Sequence, residues 1–333
     1  MGASIRHIEY VTGQTEILNS SFQKKWGNYD FERFEKKVGI KKRFKVKAKE
    51  NIISLSTKVC EKLFETNVIE KDEIDYLILC TQSPEHPLPT NSCIIQDKLK
   101  LRNDIGCLDI NLGCSGFVYC LSLAKGLISS NQAKNILIVT AETYSKYIHK
   151  DDLINQLIFS DAAAVTLVSH SEEEKIGNFS LGTDGAGFDK LIVKNNYFNK
   201  LENPTLNKIS EFISNDDNSL YMNGPEVFNF TLNRVPDLIK KTLEINKIEE
   251  NSIDYFVPHQ ANKFLLNSIR KRSKIPEDKF IINFNEIGNT VSSTIPIALK
   301  TLSESLNLEK KENKILICGF GVGLSWGAVT ITI

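Results

Sequence analysis

The sequence predicts a layered α/β chain folded as two similar halves, and two observations carry that expectation. Short apolar runs, each about the length of a buried strand, alternate with stretches of helical spacing. A ten-residue segment and what surrounds it then recur, in order, later in the chain.

The apolar runs are 74–80, 105–110, 135–141, 162–168, 253–257, 314–318 and 328–333. They are apolar along their length rather than at every second residue, as strands covered on both faces must be. Stretches such as 117–129 and 262–272 between them have helical periodicity. No low-complexity linker divides the chain.

The repeat begins with Asn67-Val-Ile-Glu-Lys-Asp-Glu-Ile-Asp-Tyr76, which matches Asn246-Lys-Ile-Glu-Glu-Asn-Ser-Ile-Asp-Tyr255 at six of ten positions. Gly113-Cys114 and Gly288-Asn289 then each open a helix-like stretch, reaching Leu123-Ala124-Lys125 and Ala298-Leu299-Lys300. Asn135-Ile-Leu-Ile-Val and Lys314-Ile-Leu-Ile-Cys follow as corresponding strands. Three matches in one order point to a duplicated fold with a site between its halves. Cys114 and Asn289 fall at equivalent helix starts, so each half offers one polar group to a shared cleft.

Bulk properties exclude several classes. Lys plus Arg and Asp plus Glu are both 41, which leaves no global field to attract nucleic acid. The start MGASIRHIEY has no signal-peptide core, Arg6 stands where a myristoylation signal needs Ser or Thr, and no apolar run approaches a membrane span. A cytoplasmic protein with no membrane partner is expected. The seven cysteines are an odd set without a CxxC pair, which suggests buried, reduced thiols rather than a disulfide framework or zinc site.

In Asp109-Ile-Asn-Leu-Gly-Cys114-Ser-Gly-Phe-Val-Tyr a strand ends and Cys114 sits where a helix begins. Free N–H groups and the helix dipole there are expected to lower the thiol's pKa. Taken alone, such a residue is more often a buried structural cysteine, as Cys120 is expected to be. Val257-Pro258-His259-Gln260-Ala261-Asn262 projects His259 from a strand end, and Asn289 stands in a loop that becomes helical. The run Gly319-Phe-Gly-Val-Gly-Leu-Ser-Trp-Gly327 leads into a terminal strand, not a helix, so it is no dinucleotide loop. A turn bringing backbone N–H groups against a reacting centre suits it better.

The ordered set Gly113-Cys-Ser-Gly-Phe117, His259-Gln-Ala-Asn262, Gly288-Asn-Thr290 through Pro296 and Gly319-Phe-Gly321 through Trp326-Gly327 resembles the β-ketoacyl-acyl-carrier-protein synthase III family of the thiolase superfamily. Val38-Gly-Ile-Lys-Lys-Arg43 and Ile158-Phe-Ser-Asp161 are weaker echoes, and the likeness runs from residue 38 to the C-terminus. The resemblance implies a five-layered αβαβα thiolase fold, with residues 1–172 carrying the nucleophile and 173–333 the His and Asn, and a homodimer. It implies a decarboxylative Claisen condensation. Cys114 takes an acyl group from a thioester, a malonyl thioester loses CO2, and the carbanion attacks the acyl-cysteine. Backbone N–H groups of Cys114 and Val322 would form the oxyanion hole, while His259 and Asn289 would stabilise the enolate. No metal or cofactor is implied, since CoA or acyl-carrier thioesters enter as substrates. Arg33, Lys37, Gly224 and Phe320 are implied to bind substrate, and Leu88 to gate the acyl pocket across the dimer interface.

Four departures from the family pattern carry expectations. Gly113 replaces the usual alanine and should widen the pocket. Phe159-Ser-Asp-Ala-Ala-Ala164 replaces a glycine-rich stretch and should alter local backbone freedom. Val322 replaces a glycine in the terminal turn; its N–H survives, but a β-branched residue disfavours positive φ. The aromatic that stacks on the CoA adenine is missing, so Arg33 stacks there, Phe34 substitutes after a one-residue shift, or a carrier protein is the donor.

Lys263, Arg270 and Arg272 lie on the helix after His259, the first two on one face, and form a candidate docking patch for an acidic acyl carrier protein. An ordinary solvated face is the bland alternative. Competing functions are an acyltransferase that does not decarboxylate, a Cys-His-Asn hydrolase, and a catalytically silent thiolase-like subunit.

Overall fold

A strand that is apolar on both faces must be covered twice, and that requirement builds this molecule. The computed structural model describes residues 2–193, 219–306 and 312–333. Its first part supplies β1 (Gly2–Thr12), β2 (Thr15–Leu18), α1 (Phe31–Val38), β3 (Lys42–Lys45), α2 (Ile52–Phe64), β4 (Tyr76–Cys80), α3 (Asn91–Leu99) and β5 (Gly106–Ile110). Next come α4 (Gly116–Ser129), β6 (Asn135–Glu142), α5 (Leu153–Ile158) and β7 (Ala162–Ser171). The second part supplies β8 (Ser180–Thr183), β9 (Leu191–Val193), β10 (Leu220–Met222), α6 (Gly224–Asn246), β11 (Tyr255–Pro258) and α7 (Lys263–Arg272). It ends with α8 (Thr294–Leu306), β12 (Lys314–Gly321) and β13 (Ser325–Thr332).

Five strands form one sheet in the order β1-β7-β6-β4-β5, with β7 antiparallel to both its neighbours and β6, β4 and β5 parallel. The second sheet, β8-β13-β12-β11, repeats the scheme, with β13 antiparallel to both neighbours and β12 parallel to β11. Where the first sheet has β5, the second has a single parallel bridge from Phe256 to Phe280. The repeated segments 67–76 and 246–255 pass through equivalent short turns, Lys71–Glu73 and Glu250–Ser252, before entering β4 and β11.

Side chains alternate across each sheet and sort into three helical layers. Leu77, Leu79, Leu137, Val139, Val165 and Leu167 face α2 and α3 on one outer side. Ile78, Ile136, Ile138 and Val168 face inward, where they meet Ile315, Ile317, Val329 and Ile331 of the other sheet across α4 and α8. Phe256, Leu316, Cys318 and Ala328 face the other outer layer, with Val235, Leu238 and Leu265 of α6 and α7. The result is the αβαβα stack. Each fully buried Leu or Ile in it is worth about 1.5–3 kcal/mol. Of the two middle helices, α4 is apolar over most of its surface, while α8 keeps a polar side that carries Lys300 and Glu304.

Several boundaries shift for physical reasons. Ile74 is buried but closes the turn before β4, and the terminal strand begins at Ser325, as the second arm of a hairpin with β12. β1 has no counterpart among the expected strands, because Arg6, His7 and Glu9 interrupt its apolar pattern. Glu9 is nevertheless buried. Burial alone would raise its pKa, but hydrogen bonds from Lys300, Lys62 and His7 outweigh that and hold the carboxyl at about 2.

Candidate active site

Between β5 and α4 the chain makes a tight elbow, with Gly116 N–H donating to the Gly113 carbonyl at 2.8 Å, and Cys114 stands at its apex. The β12–β13 hairpin lies directly against this elbow. A Cβ on Gly321 would stand 2.8 and 2.9 Å from Cβ and Sγ of Cys114, so only glycine lets the strand approach. Ser115 and Ser325 hydroxyls join at 2.7 Å, and Ser325 Oγ donates to the Val322 carbonyl at 2.7 Å. The hairpin tip is thereby pinned. The backbone N–H groups of Cys114 and Val322 both face the Cys114 sulfur closely enough to favour its charged form. Val322 does not carry the turn's positive φ, which falls on Gly323 at 138°. The valine therefore leaves its N–H aim intact.

His259 follows β11, its backbone N–H donating to the Cys318 carbonyl at 2.7 Å, and its ring meets Phe320 edge-on at 5.6 Å. Nδ1 lies 2.7 Å from Thr294 Oγ1, which lies 3.0 Å from the Val291 carbonyl. The threonine hydroxyl has one proton to give. Given to Nδ1, it leaves Nε2 carrying the ring's N–H; given to Val291, it leaves Nε2 with the lone pair. Exchanging donor for acceptor at Nε2 thus takes a rotation of this hydroxyl together with a shift of the ring proton between its two nitrogens. Burial lowers the His259 pKa to about 3, against a smaller opposing pull from the Val291 carbonyl, so the ring is neutral at physiological pH.

The other residues of the His-Gln-Ala-Asn run are structural. Gln260 bonds the Pro258 and Ile281 carbonyls through Nε2 and receives the Asn283 N–H at Oε1. Asn262 caps α7 by accepting the Leu265 N–H at 2.9 Å.

Asn289 is held by its backbone between Ile158 and Ser160, with both bonds at 2.9 Å. Ser160 belongs to the stretch expected to change backbone freedom, and it is fastened, its Oγ accepting the Phe44 N–H at 2.8 Å. The Asn289 Oδ1 accepts the Val291 N–H at 2.9 Å. Val291 sits at φ 54°, a strained conformation for a β-branched residue. Strain anticipated at Val322 thus lies at Val291, where two neighbours on either side hold it.

Cys114, His259 and Asn289 line one cavity of about 520 Å³, with Tyr144, Phe159, Phe320, Gly224 and Leu191 among its other walls. Lys37, Ile154 and Phe264 stand at its exposed mouth, and Lys37 is the sole charged side chain in the wall among the described residues. Beside the elbow, the fully buried Glu142 accepts hydrogen bonds from Ser83 Oγ at 2.7 Å, Ser292 Oγ at 3.0 Å and Gln82 N–H at 3.2 Å. Burial nonetheless raises its pKa to about 8.

The expected lowering of the thiol's pKa is overturned. Burial pushes Cys114 up to about 12, and Glu142 adds to the rise; the two backbone N–H groups pull the other way but less strongly. Helix-start effects are short-ranged and modest, whereas desolvating a thiolate is costly. At rest the sulfur is a neutral thiol.

Other expected residues divide. Lys37, Gly224 and Phe320 line the cavity; Arg33, exposed on α1, does not. Phe34 is buried against Tyr29 and cannot stack on an adenine. Leu88 is 80% exposed and lies outside the cavity wall. Gly113 does not widen the pocket, because the Gln82 side chain fills the space its missing Cβ leaves. In the docking patch, Arg270 is 17% exposed and paired with Glu277 at 3.1 Å, which removes it from the surface. Arg272 lines a separate cleft with α6. Lys263 instead groups with Lys36, Lys37, Lys271 and Phe264 in a shallow groove beside the cavity mouth. Thr294, Glu142, Tyr144, Val291 and Ser325 were not singled out by sequence. Thr294 and Val291 lie inside the quoted Asn289–Pro296 run, but nothing in their spacing marks them.

Residues 108–185 match the family described as 3-oxoacyl-[acyl-carrier-protein] synthase III, and residues 243–333 match that family's C-terminal part. The chain is 37% identical over 292 residues to the β-ketoacyl-[acyl-carrier-protein] synthase III of Clostridium novyi (strain NT), covering 88% of this chain and 87% of that protein. A crystal structure of a 3-oxoacyl-(acyl-carrier-protein) synthase III is similar with a TM-score of 0.92 at 37% identity, over 100% of both chains. The 3-oxoacyl-(acyl-carrier-protein) synthase of Burkholderia xenovorans LB400 has a TM-score of 0.94 at 32% identity, over 100% of this chain and 94% of that one.

Proposed function

The chain belongs to the 3-oxoacyl-[acyl-carrier-protein] synthase III family, and from that premise we propose that Cys114, His259 and Asn289 carry out a decarboxylative Claisen condensation giving a β-ketoacyl thioester. The observation that carries this assignment is the convergence of two neutral side-chain groups on one cavity with a thiol that already lies against two backbone N–H groups.

In the first half-reaction the Cys114 sulfur attacks the carbonyl of an acyl thioester. A C–S bond forms, the carbonyl electron pair moves to oxygen opposite the N–H groups of Cys114 and Val322, and collapse expels the donor's thiolate, which takes up the proton the cysteine lost. Since the thiol is held neutral, proton loss accompanies attack, and a neutral His259 in its acceptor state is a group able to receive it. In the second, a malonyl thioester loses CO2 and the electron pair moves onto its thioester oxygen. His259, with its N–H turned inward, and the Asn289 amide donate to that enolate; two such donors in a dry site are worth about 3–6 kcal/mol. The enolate carbon then attacks the acyl-cysteine, a carbon–carbon bond forms, and the Cys114 sulfur leaves as a thiolate that takes a proton from water to restore the resting thiol. Among the described residues, the inner end of the cavity wall carries no cation to pair with the malonyl carboxylate, which favours its departure as neutral CO2.

The donor is a CoA or acyl-carrier thioester, and the malonyl group arrives on an acyl carrier protein. The groove of Lys36, Lys37, Lys263 and Lys271 beside the mouth suits an acidic carrier. The protein pairs with a second copy along the half-exposed edge strand β5, which brings the exposed Leu88 against the partner.

Intact-protein mass after mixing with acyl-CoA and acyl-carrier thioesters tests the assignment, with Cys114→Ala as control. An acyl adduct on wild type alone is expected. No adduct across the panel would refute the acyl-cysteine step.

A further inference from the structure

The end of β6 grips a turn that touches two of the three reactive residues. The turn Val291–Ser293 belongs to the second half of the chain, and β6 to the first. Glu142, the last residue of β6, accepts the Ser292 hydroxyl at 3.0 Å. Two residues back, the Thr140 carbonyl accepts the Ser293 hydroxyl at 3.0 Å, and the two hydroxyls lie 2.9 Å apart. None of these four residues is more than 1% exposed.

The residues flanking this clamp do the aiming. Val291 gives its N–H to Asn289 Oδ1, and Thr294 Oγ1 faces His259 Nδ1. Val291 makes its bond at φ 54°, a conformation that a β-branched residue keeps only where its neighbours hold it. On one side the turn lies against the Cys114 elbow, with Val291 Cγ1 3.2 Å from where a Gly113 side chain would begin. On the other, the bond from Ser292 to Glu142 fixes the residue that follows. Glu142 is itself fixed. Its second oxygen takes the Ser83 hydroxyl at 2.7 Å, and both oxygens share the Gln82 N–H at 3.2 Å.

The geometry points to Glu142 as a positioning residue for decarboxylation, which acts through Ser292 to hold Val291 left-handed and so keeps the Asn289 amide aimed at the malonyl thioester. The inference rests on the role given to Asn289 above. What it requires of Glu142 is an oxygen facing Ser292 and a polar group facing Ser83, not a negative charge. With a proton, the carboxyl donates to Ser83, whose own hydrogen turns to Thr81 Oγ1 at 3.4 Å, and the Ser292 bond is unchanged. A glutamine offers the same two groups.

The test is the rate of CO2 release from malonyl-acyl carrier protein, with acylation of Cys114 across the thioester panel as reference. Ser292→Ala should lower kcat for CO2 release by at least about tenfold and leave KM and acylation within about twofold, since a small misplacement of a reacting group is costly. Glu142→Ala should slow CO2 release likewise, whereas Glu142→Gln should keep most of the wild-type rate. In an Asn289→Ala background no amide is left to aim, so adding Ser292→Ala should cost nothing further. A merely structural loss would slow that background too. Ser292→Ala releasing CO2 at the wild-type rate overturns this inference and leaves the role of Asn289 standing. So does a further loss in the Asn289→Ala background, or Glu142→Gln proving as slow as Glu142→Ala. Asn289→Ala itself decarboxylating at the wild-type rate sinks both.

Discussion

Asn289 Oδ1 accepts the backbone N–H of Val291 at 2.9 Å, and this one bond decides which end of the amide is left for chemistry. With the oxygen taken, Nδ2 is the free donor. Asn289→Asp keeps the bond to Val291 but turns a carboxylate oxygen toward the cavity. Acylation of Cys114 should survive in that variant, while CO2 release from malonyl thioester falls by about two to three orders of magnitude. Separate measurement of the half-reactions checks this, and Asn289→Asp decarboxylating at the wild-type rate would sink the role given to Nδ2.

Val291, at φ 54°, should invert the ordinary ranking of small substitutions. Ala and Gly both remove the buried isopropyl group, but only glycine relieves the left-handed backbone. Val291→Gly is therefore expected to be more stable than Val291→Ala by about 1 kcal/mol, against the usual penalty for glycine. Urea denaturation of the two variants reads the difference directly. Val291→Ala proving the more stable would remove the strain argument.

Neither half-reaction should show an ordinary histidine titration. Burial holds His259 neutral down to about pH 3, so the decarboxylation rate should show no inflection near the ordinary histidine value and stay level from about pH 5 to about pH 7. Cys114 is pushed up to about 12 and passes its proton to neutral His259 as it attacks, so acylation should stay level over the same interval. A step in decarboxylation near pH 6.5, the ordinary value, would mean that the imidazolium is reached.

Glu142 bears on stability. Its folded pKa of about 8 lies above the ordinary 4.5, so between those values the folded chain keeps a proton that the unfolded chain releases. Its contribution is fully present below about pH 4.5 and is lost as pH rises through about 8. Glu142→Gln should flatten the fall in melting temperature between those limits. An unchanged slope in the variant would show that Glu142 titrates normally.

How far all this could be read from the sequence depends on distance along the chain. Strands such as β4, β6 and β12 were visible because burial on both faces makes them apolar throughout. β1 was not, because Glu9 is tolerated only through Lys62 and Lys300, which arrive from elsewhere in the fold. Cys114, His259 and Asn289 were legible as ordered short runs. The groups that aim them were not: Thr294 reaches His259 across 35 positions, Tyr144 reaches Gln82 across 62, and Ser292 reaches Glu142 across 150. Arg270 misled for a related reason. A spacing of seven says that two residues share a helix face, but not that Glu277 will fold back over one of them.

The middle layer has a consequence for how this protein fails. Cys114 stands just before α4 and Asn289 just before the short turn into α8, and both helices are clamped between the two sheets. The reactive groups thus hang from the most deeply enclosed part of the molecule, not from a rim that frays first. Warming should leave the catalyst working until the whole body melts, so that loss of turnover and loss of secondary structure share one midpoint.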